Sequence, residues 1–166
     1  MEEKFLHAEE PEAERNLLFQ TRSDLNSTSA SKLFAGFDSA QLQGKFTFTA
    51  EEKLKSKKLI EQLFKEGKSV STNGFTLVYL VQPLRTFYPV QAGFSVPKRN
   101  FKHAVDRNRI KRLMREAYRL NKLPFYQKLA EQKKQLAVMF VYKGKALPTY
   151  ETVLKAVLAC LNKLNG

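Results

Sequence analysis

Residues 93–120 read GFSVPKRNFKHAVDRNRIKRLMREAYRL, and within this stretch the pattern changes from that of a strand to that of a helix. The apolar run VQAGFSV, residues 90–96, has the length and composition of a strand. From Ala104 onward the spacing becomes helical: Ile110, Leu113, Met114 and Ala117 fall within about 50° of a common direction on a helical wheel, a stripe to be buried. Asn108, Lys111, Arg112, Arg115 and Arg119 take the opposite side, with Arg107 and Arg109 flanking the boundary. Such a face is costly. The like-charge pairs at i,i+4 from Arg107 to Lys111, Lys111 to Arg115 and Arg115 to Arg119 each repel by about 0.2–0.5 kcal/mol. An ordinary solvated face mixes signs to avoid this, whereas Asp106 and Glu116 are the only acids here. Planar guanidinium groups suit bidentate phosphate contacts, and the Asn108 amide both donates and accepts, as contact with a base or ribose edge requires. The loop before the helix adds Lys98, Arg99 and Lys102, close to a helix N-terminus whose N–H groups also favour phosphate. His103 reads as an ordinary loop histidine.

The rest of the chain sharpens the charge argument. The 166 residues suit one domain with a tail, and the formal net charge is +13. Residues 1–45 hold five Lys/Arg against eight Asp/Glu, net −3; residues 46–166 hold 24 against eight, net +16. A compact domain with this much self-repulsion is matched to a polyanion, since released counterions drive such binding. Nucleic acid is the leading partner. An anionic membrane is the weaker one, because the basic face lacks an adjacent apolar stripe for the interface. No run approaches the roughly 18 apolar residues of a membrane span, and the N-terminus lacks the order of a secretory signal, so a cytoplasmic protein is expected. The single Cys160, set in the apolar pattern VLKAVLACLNKL, reads as a packing residue, and with His7 and His103 it makes no recognisable metal site.

Residues 1–45, acidic at the start and then rich in Ser, Asn and Gln, are expected to form a mostly disordered extension: a solubilising tail, or a shield for the basic domain. Thr49 followed by Glu52 matches a capping box and predicts a helix from there through Leu54, Leu59, Ile60, Leu63 and Phe64, closed by Gly67 in a positive-φ conformation. SVSTNGFTLVYLVQP predicts a hairpin turning at Asn73-Gly74 and ending before Pro83. Pro124 is expected to break the basic helix. QLAVMFVYK reads as a buried central strand, and the chain ends in a helix with Val153, Leu154, Val157, Leu158 and Leu161 toward the core. The expected fold is α+β in the order αβββαβα, a two-layer sandwich of a four-stranded sheet with helices.

RNRIKRLMREAYR, preceded by GFSVPKRNFKHAV, resembles the signature of the bacterial ribonuclease P protein subunit, an Arg-Asn-Arg helix after a strand that ends in a basic loop. The resemblance runs from about Phe46 to Leu164 and omits residues 1–45. It implies a fold like domain 2 of ribosomal protein S5, with a left-handed βαβ crossover. It further implies a protein that assists a catalytic RNA, in one-to-one complex, in removing the 5′ leader of precursor tRNA with Mg2+ held mainly by the RNA. Lys98, Arg99, Lys102, Arg107, Asn108, Arg109, Lys111, Arg112, Arg115 and Arg119 would then face RNA. By the same resemblance a cleft at Ile60, Phe64, Thr76, Val78 and Ser95 would hold the single-stranded leader. Ile60 stands where many members carry Phe, and Val78 where some carry Tyr, so apolar contact and charge would replace part of the stacking.

Two other classes fit less well. A protein-only nuclease needs a carboxylate cluster or a His pair, and the basic domain has eight acids in no metal-binding pattern. A ribosomal protein or general RNA chaperone shares the charge and size, and lacks a reason for the Arg-Asn-Arg signature.

Overall fold

The computed structural model describes residues 46–72 and 74–164. Their order is α1 (Lys57–Glu66), β1 (Lys68–Thr72), β2 (Phe75–Val81), β3 (Val90–Ser95), α2 (Ala104–Glu131), β4 (Leu136–Tyr142) and α3 (Tyr150–Leu164), the αβββαβα arrangement expected. The extension assigned to residues 1–45 lies outside the described residues. The four strands form one sheet ordered β1-β2-β4-β3. β1 and β4 each pair antiparallel with β2, while β3 and β4 run parallel and are joined by α2. β4 is interior because its near-continuous apolar sequence tolerates burial on both faces.

The β1–β2 hairpin is as tight as its sequence suggests: Thr72 pairs with Phe75 across two intervening residues, and Gly74 adopts φ 80°. Strand alternation then divides the sheet. Phe75 and Leu77 join Val90, Ala92, Val138 and Phe140 beneath α2 and α3, in the larger core. Phe94, Phe140 and Tyr118 meet there at ring distances of 5.5–5.9 Å. Cys160 is buried in the same core, its Sγ 3.1 Å from the Thr72 hydroxyl, which makes it a packing residue. The opposite face carries a smaller cluster of Leu54, Leu63, Leu84, Ala137 and Met139, covered by α1.

Three local expectations are corrected. α1 begins at Lys57, with the Ser56 hydroxyl accepting from the Leu59 N–H at 3.4 Å. The Thr49 N–H does donate to Glu52 Oε2 at 2.7 Å, but no helix follows. Instead residues 52–54 run along β3: Ala92 N–H donates to the Glu52 carbonyl at 2.8 Å and Leu54 N–H to the Ala92 carbonyl at 3.0 Å. Covering an otherwise unpaired sheet edge wins over one capping bond. Pro124 does not break α2, which continues to Glu131. An internal proline costs about 3 kcal/mol, and burying Phe125 and Leu129, 2% and 4% exposed, returns about 1.5–3 kcal/mol each. Gly67 has φ −71°, so positive φ is not its role. A Cβ there would stand 2.2 Å from the Leu63 carbonyl oxygen and 3.0 Å from that of Tyr79, so the site needs a residue with no side chain where α1 turns into β1.

Candidate nucleic-acid interface

α2 presents its charge as the helical wheel requires. Ile110, Met114 and Ala117 are buried in the larger core and Leu113 is packed against it, while Asn108, Arg109, Arg112 and Arg115 are exposed and Lys111 is half-buried. Burial of the apolar stripe fixes the rotation of the helix, and that rotation turns the guanidinium groups outward.

Two of the expected contact residues have partners within the fold. The Arg107 guanidinium donates to the carbonyls of Phe101 and Lys102 at 2.8 and 2.7 Å. His103, the N-cap, makes no side-chain capping bond, so Arg107 fixes the path of the chain into the helix. Arg119 makes a bidentate pair with Glu116 at 2.6 and 3.0 Å and also donates to the Phe46 carbonyl. The hydrogen bond from Arg119 holds the Glu116 carboxyl below its usual range, and the same bond raises the Arg119 pKa.

The loop between β3 and α2 exposes Lys98, Arg99 and Lys102. It is pinned by Asn100, whose amide donates to the Lys143 and Gly144 carbonyls at 2.9 and 3.1 Å, and by Phe101, which stacks on Tyr142 at 5.9 Å. Sequence reasoning passed over both residues. An asparagine beside an aromatic, between a strand-forming run and a helical one, was the available signal for a pinned turn.

Of the expected cleft residues, Thr76, Val78 and Ser95 share the sheet face under α1 and Ile60 and Phe64 belong to α1 itself, in unequal roles. In register, Thr76 pairs with Val141 and Val141 with Ser95, while Val78 pairs with Met139 in the neighbouring row on the same face. Ile60 and Val78 pack against the small core beneath α1. Phe64 projects from α1 with 54% of its surface exposed. Ser95 is half-buried, whereas Thr76 is buried with its hydroxyl 3.1 Å from that of Ser71. The Ser95–Thr76 end of this face is also the end from which the basic loop departs, since Ser95 closes β3 and residues 96–103 lead into α2.

Among the described residues there is no group of three or more His, Cys, Asp or Glu placed to hold a metal ion. The one carboxylate on the basic face of α2, Glu116, is taken by Arg119. A hard cation such as Mg2+ needs several oxygen donors, and this donor set does not fit it. No helix among the described residues is long and apolar enough to cross a membrane.

A family model described as Ribonuclease P matches residues 48–165. The chain is 34% identical over 130 residues to the ribonuclease P protein component of Porphyromonas gingivalis, a match covering 73% of this chain and 88% of that one. Its fold is similar to that of the Staphylococcus aureus RNase P protein, with a TM-score of 0.56 at 20% identity over 70% of this chain and 96% of that one. The Thermotoga maritima RNase P protein superimposes with a TM-score of 0.55 at 23% identity, over 69% and 98% of the two chains. A protein of this fold, with an arginine-rich helix held outward by its own buried stripe, is thereby placed: the chain belongs to the ribonuclease P protein family, the protein component of a tRNA-processing ribonucleoprotein.

Proposed function

We propose that this protein works through two surfaces that meet at one end of the sheet. The exposed side of α2, carried by Asn108, Arg109, Lys111, Arg112 and Arg115 with Lys98, Arg99 and Lys102 beside it, binds the backbone of the catalytic RNA. The face under α1, with Phe64 outermost and Ser95 and Val78 on its floor, receives the single-stranded 5′ leader of precursor tRNA. The observation that carries this reading is the rotation of α2: its buried stripe spends the apolar residues on the core and leaves Arg109, Lys111, Arg112 and Arg115 on the other side without carboxylate partners among the described residues, Arg119 alone being paired, with Glu116. Leader binding draws on apolar contact from Phe64 and on the positive field of the domain, the combination by which single strands are held without reading their sequence.

In this reading the hydrolytic centre lies in the RNA, which holds the Mg2+, and the protein neutralises and positions phosphates. The complex is one protein to one RNA and acts in the cytoplasm, where precursor tRNA is made. The poor fit of the protein's donor set to a hard cation supports leaving the metal to the RNA. The test is cleavage of a leadered precursor tRNA at low millimolar Mg2+, with the cognate RNA subunit, the protein, or both. The reading expects efficient cleavage from the pair and none from the protein alone; tight RNA binding with no stimulation would contradict it.

A further inference from the structure

The described chain begins at the basic helix itself, since the carbonyl of Phe46 accepts a hydrogen bond from Arg119. Residues 1–45 therefore depart from the C-terminal end of the cationic face. Their far end is strongly acidic: Glu2, Glu3, Glu9, Glu10, Glu12 and Glu14 stand against Lys4 alone. The face they adjoin is poor in counter-charge. Among the described residues two ion pairs form, Arg119 with Glu116 and Lys122 with Glu52, so Arg109, Lys111, Arg112 and Arg115 have no carboxylate within ion-pair distance there.

We propose that the acidic residues 2–14 dock on the exposed basic face of α2 within the same chain and compete there with RNA. Reach is ample. From Arg119 back to Asn108 is about 16 Å along a helix axis, and the 31 residues between Glu14 and Phe46 span up to about 100 Å when extended. Charge complementarity is local as well as global: six carboxylates meet guanidinium groups whose mutual repulsion they relieve. Tethering makes the contact intramolecular, so it forms without high protein concentration. A weakly bound, non-cognate RNA would have to displace it, whereas an RNA offering many phosphates at once would do so readily. The extension then sets a threshold for binding rather than adding to affinity. The competition follows from the RNA role assigned to α2; the docking stands without it.

The test is zero-length carbodiimide cross-linking of the full chain at low salt and high dilution, with the linked peptides mapped. Intrachain links from residues 2–14 to Lys98, Lys102 or Lys111 are expected, to be lost in 0.5 M salt and in the full-length variant with all six glutamates replaced by glutamine. Saturation with the cognate RNA subunit should reduce their yield by about fivefold or more, as competition for one face requires. Links scattered evenly over Lys57, Lys65, Lys155 and Lys163, links between chains only, or no links would overturn the docking. Links to α2 that persist under bound RNA would overturn the competition. Links to α2 in a chain that binds no RNA would leave the docking in place and count against the proposed function instead.

Discussion

The Lys122 ammonium and the Glu52 carboxylate form an ion pair with side chains 1% and 0% exposed, joining α2 to the segment that covers the edge of β3. The Tyr126 hydroxyl donates to the same carboxylate at 2.8 Å, and Lys122 also donates to the Thr47 carbonyl. Burial pushes the Lys122 amine below its usual range, and its hydrogen bond to Glu52 pulls it partly back. Removing one partner strands the other's charge. Glu52→Ala is therefore expected to lose about 3–5 kcal/mol in urea unfolding, while the double change Glu52→Leu with Lys122→Met recovers much of that loss. A single-variant loss below about 1 kcal/mol would show that the pair is not what holds the segment.

Tyr118 and Tyr126 share a hydrogen bond of 3.1 Å in the same interior, and burial, the larger cause for each, raises both phenols well above their ordinary values. Their folded pKa exceeds the unfolded one, so their contribution is complete below the unfolded value of about 10 and is lost as pH rises beyond it. Thermal unfolding followed from pH 8 to 11 should show stability falling above about pH 10, and falling less steeply in Tyr118→Phe. That variant should cost about 0.5–1.5 kcal/mol at neutral pH through its lost hydrogen bond.

Arg112 and Arg115 should separate from Arg107 by their effects. The double variant Arg112→Ala, Arg115→Ala is expected to keep its stability within about 0.5 kcal/mol per site. Its RNA affinity should fall and its salt slope should drop by about 0.7–0.9 per lost phosphate contact. Arg107→Ala frees two carbonyls and should also destabilise the fold by about 1 kcal/mol or more. Equal salt slopes in wild type and the double variant would remove phosphate contact from Arg112 and Arg115.

Gly67→Ala places a methyl group against two backbone oxygens that cannot rotate away. The expected cost is about 1–3 kcal/mol in chemical unfolding, compared with the small gain usual for alanine at an unstrained site. A neutral result would mean that the chain between α1 and β1 shifts without penalty.

Much of this architecture was legible in the sequence because burial and period agree. The stripe of Ile110, Met114 and Ala117, the Asn73-Gly74 turn and the apolar run of β4 each have one reading. The misreadings lie where tertiary contact overrides a local signal. Glu52 carries a capping-box spacing but is claimed by Lys122, 70 residues away. Pro124 is a helix breaker whose cost is outweighed by Phe125 and Leu129 packing against elements the local sequence does not contain. At the site, the wheel identified the outward arginines, and hydrogen bonds to backbone carbonyls gave Arg107 and Arg119 structural duties that spacing alone does not show. Thr76 shares its sheet face with Val78, as strand alternation requires, whereas its pairing with Ser71 depends on strand register.

The division between the two surfaces is tested most directly by comparing reconstituted holoenzymes for binding of precursor tRNA against mature tRNA. Phe64→Ala should weaken precursor binding about fivefold to tenfold or more, as the loss of one base contact implies, and leave mature tRNA binding and assembly with the RNA subunit unchanged. Arg112→Ala with Arg115→Ala should instead weaken assembly and, once assembly is saturated, retain the preference for the precursor. Loss of that preference in the arginine variant, or its survival in Phe64→Ala, would contradict the assignment of leader to cleft and catalytic RNA to helix.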